Sequence, residues 1–271
     1  MTERLLLPTL WPMTERSRRF LELWRRIRYV WVRAGLAALV AMPVLAFLMF
    51  RAQGLPADTW IDTAAVSVVE NESYFAFTAN GAGRGEHIVI LPGCPVEPAA
   101  YAPLARSFAL RGLTAAVIKI PYRCAPFTSH GVTLTTRIRS VLDRCRECAW
   151  TVVGHSRGAV HALDVVASMP QRFRRLVLLG STHPRERDFS RLSIPVMKVI
   201  GTKDGVAPVA ATEANRRLLP TSVRWEVIEG ANHAQFAYYG FQLFDGRATI
   251  SREEQHSRIV TAVEAFLRDT P

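Results

Sequence analysis

The chain has 271 residues, 49% hydrophobic and 21% charged, which suits one globular α/β domain plus an appendage and excludes a disordered chain. The net charge of +11 points first to an anionic partner. Its excess sits near the N-terminus, however, and no basic stripe interleaves with aromatics elsewhere, which argues against a nucleic-acid partner.

Arg16, Arg18, Arg19, Arg25, Arg26, Arg28 and Arg33 precede an uncharged apolar stretch at residues 34–50, AGLAALVAMPVLAFLMF. As a helix that stretch spans roughly 25 Å, near the lower limit for crossing a bilayer. Tyr29, Val30, Trp31 and Val32 can extend it into the interface while Arg33 snorkels, and Pro43 is tolerated within it. Few basic residues follow, so the positive-inside rule keeps segment 1–33 in the cytoplasm and sends the remainder across a cell membrane. A buried helix and a secretory signal cleaved after small residues are the competing readings. Segment 51–63 reads as a linker and 64–271 as the folded domain.

Residues 64–78 alternate as an antiparallel hairpin does, and 80–86 form a glycine-rich turn. The continuous apolar run 87–91 suits a strand buried on both faces. Helical spacing follows over 98–111, closed by Gly112, then a strand at 113–120, a loop at 121–129 and a helix at 132–144. Strands at 150–153, 175–180, 194–200 and 223–228 are expected next, with a helix at 208–219 between the last two. A final helix opens on a capping box, Ser251 with Glu254. Strands alternating with helices predict an α/β fold, its mostly parallel sheet covered on both faces.

Val153-Gly154-His155-Ser156-Arg157-Gly158 joins an apolar run to a helical pattern, the context in which G-x-S-x-G places a nucleophile on a tight turn. A serine hydroxyl needs a base beside it, itself oriented by a third group. Asp204, in GTKDG, and His233, in GANH, each end a predicted strand, where an open parallel sheet keeps its chemistry. His233 would take the Ser156 proton and Asp204 would fix the imidazole tautomer. Two backbone N–H groups should meet the developing oxyanion: that of Arg157, after the nucleophile, and that of Cys94, in the loop after strand 87–91. Pro95 has no N–H to offer. The remaining histidines carry no partner pattern, His155 being expected to point into the packing.

Four cysteines, Cys94, Cys124, Cys145 and Cys148, fall beyond the apolar stretch. A disulfide involving Cys124, Cys145 or Cys148 suits an oxidising compartment, free buried thiols are the alternative, and the sequence assigns no pairing. A single C-x-x-C is too little for a structural metal site, and we expect no metal.

From residue 86 onward the chain resembles the α/β-hydrolase superfamily, in particular its cap-less, dienelactone-hydrolase-like bacterial members. LPGCPVEPAAYAPLA, GHSRG, GTKDG, GANHAQFAYYGFQ and DGRATISREEQ carry the resemblance. It implies a serine hydrolase with Ser156, Asp204 and His233 as triad and no cofactor. Two departures are visible: Cys94 stands where relatives often have glycine, and dienelactone hydrolases proper use a cysteine nucleophile where this chain has Ser156. Lids in this superfamily usually follow the strand after the elbow helix, and 181–193 is too short for one. The site should therefore be open, walled by 121–129 and 236–244, with Tyr122, Phe127, Phe236, Tyr238 and Tyr239 available to line a pocket. The expected activity is a membrane-anchored carboxylesterase acting on small or lipid-like esters. An acyltransferase or thioesterase with the same triad, and a non-catalytic binding module, are the alternatives.

Overall fold

The computed structural model describes residues 14–81 and 83–270. Residues 1–13 of the basic segment, and Ala82 of the glycine-rich turn, lie outside the described residues. Contact density divides the chain into one unit up to Phe47 and a second from Leu48 onward.

The first unit contributes helix α1, Glu15–Met49, with Pro43 inside it. The helix therefore begins well before the apolar stretch and includes all seven arginines. Its most apolar 18-residue window has a mean hydropathy of 2.0 and is not buried, so it is long and apolar enough to cross a membrane as an anchor or a signal sequence.

The second unit is built on eight strands: β1 (Val66–Glu70), β2 (Tyr74–Ala79), β3 (Glu86–Leu91), β4 (Thr114–Ile118), β5 (Ala149–His155), β6 (Arg175–Leu179), β7 (Val196–Gly201) and β8 (Arg224–Ile228). They form one sheet in the order β1-β2-β4-β3-β5-β6-β7-β8. The β1–β2 and β2–β4 pairs are antiparallel and all others parallel.

Both faces of the sheet are covered, which explains the uninterrupted apolar runs of its strands. Along β3, Ile88 and Ile90 pack into one core and Val89 and Leu91 into the other. The first core is shared with helices α2 (Ala102–Ala109) and α6 (Arg252–Asp269), through Leu104, Phe108, Val263 and Phe266. The second is shared with α3 (Thr128–Leu142) and α4 (Arg157–Ser168), through Ile138, Leu142, Leu163 and Val166. Ser251 caps α6, its side chain accepting the Glu254 N–H at 3.1 Å.

Three expectations change. The helix expected over 208–219 shrinks to α5 (Val209–Glu213) and a 3-10 turn at Arg216–Leu218. The helix expected over 98–111 opens as a 3-10 turn at Pro98–Tyr101 before becoming α2. Residues 51–57, expected as a linker, hold to the domain: Gln53 N–H donates to the Tyr238 carbonyl at 2.8 Å and Ala52 N–H to Glu97 Oε2 at 2.9 Å.

Candidate active site

The elbow is a consequence of close packing. A Cβ on Gly154 would stand 2.5 Å from the Gly158 carbonyl, and one on Gly158 only 2.0 Å from the Leu91 carbonyl. Strand β5, helix α4 and the end of β3 touch backbone to backbone there, and only glycine leaves room. Ser156, between them, adopts φ 52° and ψ −118°, a conformation a side-chain-bearing residue keeps only where its surroundings impose it. Its N–H donates to the Leu179 carbonyl at 3.0 Å, tying the turn to β6.

Asp204 follows β7 and His233 follows β8. Asp204 Oδ1 accepts the N–H groups of Val206 and Ala207 at 2.9 and 2.6 Å. Its Oδ2 accepts from His233 Nδ1 at 2.8 Å, the two side chains fully buried. The bond holds the imidazole with its Nε2 left for other chemistry. His233 sits beside the elbow, its ring centroid 4.6 Å from that of His155. Among the described residues the Ser156 hydroxyl makes no hydrogen bond, to His233 or to any other group. Such contacts commonly close only when substrate binds.

Asp245 has no counterpart in the sequence-based site, yet it joins the acid loop to the histidine loop. Its carboxylate accepts the N–H groups of Gly205 (3.2 Å), His233 (3.1 Å), Ala234 (2.8 Å) and Gly246 (2.9 Å). Gln255, on α6, clamps Asn232 from both sides, donating to its carbonyl at 2.9 Å and accepting its N–H at 3.2 Å.

The loop after β3 lies over Ser156, since a Cβ on Gly93 would stand 3.2 Å from Ser156 Cβ. Gly93 N–H donates to Tyr101 Oη at 2.8 Å, and Tyr101 Oη lies 2.6 Å from His155 Nδ1. Burial pushes the Tyr101 phenol up and the His155 imidazole well down, so phenol donates to neutral imidazole. Among the described residues, neither the Cys94 nor the Arg157 N–H has an intramolecular acceptor. Both remain available to an oxyanion. Tyr101→Phe leaves the Gly93 N–H unpaired and frees that loop. It should lower kcat about tenfold with KM within about twofold, at roughly 1–2 kcal/mol in stability. Steady-state kinetics beside thermal unfolding would check this, and an unchanged kcat would remove Tyr101 from the positioning of the site.

All four cysteines are bonded, Cys94 to Cys124 and Cys145 to Cys148, a pairing the sequence did not assign. The first bond fastens the loop over Ser156 to the turn after β4. That turn holds Tyr122, Arg123 and Ala125 at φ 50°, 59° and 47°, strained for residues with side chains. His87 approaches Cys145 and Cys148 within 4.8 Å, but the two sulfurs are bonded to each other and form no ligand set.

The aromatics available to line a pocket fall into two groups. Phe236, Tyr238 and Tyr239 are buried, Phe236 and Tyr239 within the core, whereas Tyr122 and Phe127 stand exposed. Residues 180–195 join β6 to β7 without a helix or strand, so no lid inserts there. They instead wall a cavity of about 330 Å³ beside Arg157, with His183, Pro184 and Arg185 on its edge.

Beneath it, Lys198 of β7 is fully buried, donating to the His183 carbonyl, and burial lowers its pKa to about 7. The unfolded value is 10.5, so from pH 7 upward the unfolded chain holds a proton the folded one has released. Stability therefore rises with pH in that window. Between pH 7 and about pH 9 we expect a gain of about 1–2 kcal/mol, absent in Lys198→Met. Urea midpoints of both chains test this; equal slopes would contradict it.

Residues 68–257 match the Alpha/beta hydrolase family. No curated protein matches the chain. Among solved structures, a predicted CIB-like hydrolase from Thermoplasma acidophilum is similar at TM-score 0.56 and 15% identity, over 75% of this chain and 99% of that one. A Xanthomonas campestris protein described as an a/b serine hydrolase without lid is similar at TM-score 0.54 and 14% identity, over 76% and 96%. An alpha/beta hydrolase enzyme from a lagoon-sediment metagenome gives TM-score 0.56 and 16% identity, over 75% and 98%. At such identities the likeness is one of fold. With the matched segment spanning most of its length, the chain belongs to the alpha/beta hydrolase family.

Proposed function

We propose that the protein is a membrane-anchored serine hydrolase that cleaves small or lipid-like carboxylic esters through an acyl-enzyme. The observation that carries this reading is the hydrogen-bonded His233–Asp204 pair beside Ser156 on its strained turn. His233 takes the Ser156 proton as the hydroxyl attacks the ester carbonyl, and Asp204 stabilises the imidazolium. The N–H groups of Cys94 and Arg157 hold the oxyanion. The alkoxide leaves with the proton from His233, and water repeats the sequence on the acyl-enzyme.

Helix α1 serves as an uncleaved anchor, its arginines cytoplasmic and the hydrolase domain beyond the membrane. The two disulfides support an oxidising location. Labelling the full chain with a fluorophosphonate tests the nucleophile. A covalent adduct on Ser156 supports the reading, and no adduct on a folded chain sinks it.

A further inference from the structure

Beside other exposed apolar side chains of the domain, such as Ile61, Leu110, Val132 and Val227, Tyr122, Phe127, Phe241, Leu243 and Phe244 stand in solvent, Phe244 89% and Tyr122 80% exposed. These five belong to two segments. The turn bearing Tyr122 is bonded through Cys124 to Cys94, above Ser156. The loop bearing Phe241, Leu243 and Phe244 is held by Asp245 to the Asp204 and His233 loops. Both therefore form the rim of the candidate active site.

The same rim receives the chain from the apolar stretch. Gly240 N–H donates to the Met49 carbonyl at 2.9 Å, and the Phe50 ring lies 5.7 Å from that of Tyr239. Glu97 N–H donates to the Phe50 carbonyl at 2.8 Å, and Glu97 Oε2 lies 3.6 Å from Arg123 Nη2. Residues 48–53 thus lie between the turn bearing Tyr122 and the loop bearing Phe241, and they include the last three residues of the apolar stretch 34–50. Exposed charges on residues 48–53, 201–205 and 240–247 are basic: Arg51, Lys203 and Arg247. The carboxylates there, Asp204 and Asp245, are engaged by backbone N–H groups.

We propose that this rim rests on the bilayer that holds α1, with its aromatic side chains in the interface and its basic ones on anionic headgroups. Aromatic and basic side chains share that preference. The tether makes docking intramolecular, so a contact weak in free solution suffices. The ester then reaches Ser156 from the membrane rather than from bulk water. The substrate half of this inference rests on the anchored-hydrolase reading; the docking half does not need the chemistry.

The test uses the full chain in vesicles of phosphatidylethanolamine and phosphatidylglycerol carrying brominated acyl chains. Phe244→Trp adds an emission that bromine should quench by about half or more relative to the parent chain. Separately, Phe241→Ser with Phe244→Asn should lower, about tenfold, the ratio of hydrolysis of a vesicle-borne ester to that of a water-soluble ester. An unquenched Trp on vesicle-bound chain, or an unchanged ratio, overturns the inference and leaves the rim to a protein partner. Quenching without hydrolysis of either ester keeps the docking surface and removes the hydrolase reading. A chain that does not float with vesicles removes the anchor, and the surface with it.

Discussion

Replacing Ser156 by alanine should lower ester turnover by roughly 10⁴–10⁶ in kcat. Alanine removes one oxygen and leaves the His233–Asp204 hydrogen bond, the Asp245 staples and the N–H groups of Cys94 and Arg157 in place. Without the hydroxyl, catalysis falls to what an oriented water and an oxyanion site provide. Alanine tolerates φ 52° no better and no worse than serine, so the unfolding temperature should move little. The assay is hydrolysis of p-nitrophenyl esters of increasing acyl length by the full chain. A loss of that size with unchanged stability assigns the nucleophile, and the wild-type chain-length profile sizes the pocket. A variant retaining activity within about tenfold of wild type would falsify the serine mechanism.

The second large effect is on folding. A methyl on residue 158 must occupy space 2.0 Å from the Leu91 carbonyl and 2.6 Å from the Pro92 carbonyl. Neither is a flexible side chain: both are backbone at the end of the central strand β3, paired with β4 and β5. Relief would require α4 to lift from the sheet, opening the core that Leu163 and Val166 fill. Gly158→Ala should therefore cost about 4 kcal/mol or more, comparable with the whole stability of a small domain. Gly131→Ala is the control, because a Cβ at Gly131 in α3 meets nothing within 4 Å. That substitution should be neutral or slightly stabilising. Soluble yield and thermal unfolding separate the two, and a cooperative Gly158→Ala chain with wild-type stability would mean that α4 crosses β3 at greater distance.

Much of this architecture is legible in one dimension because buried parallel strands and amphipathic helices have different periods. The run HIVIL predicts β3, and the capping box at Ser251 marks the start of α6. The elbow is legible for a related reason: two glycines flanking one serine, after an apolar strand, leave the backbone few alternatives. Asp204 and His233 stand out because each lies in the loop that follows a parallel strand, β7 or β8, and their 2.8 Å hydrogen bond is the outcome of that topology.

Other features depend on which loops meet, and no local pattern encodes that. Asp245 carries four backbone N–H groups from three turns, but along the chain it is one acid in a polar loop. Tyr101 reaches Gly93 and His155 only because α2 packs under the loop that precedes it. The pairing of Cys94 with Cys124 and the burial of Phe236 and Tyr239 have the same origin. Residues 51–57 have a linker's composition, and their backbone bonds to Tyr238 and Glu97 appear only once those partners are in place. By itself the sequence determined the strand–helix alternation, the elbow and the residues at the strand ends, because period and turn chemistry are local. The tertiary structure alone decided which loops support them and which aromatics face outward, because those outcomes depend on contacts between residues far apart in the chain.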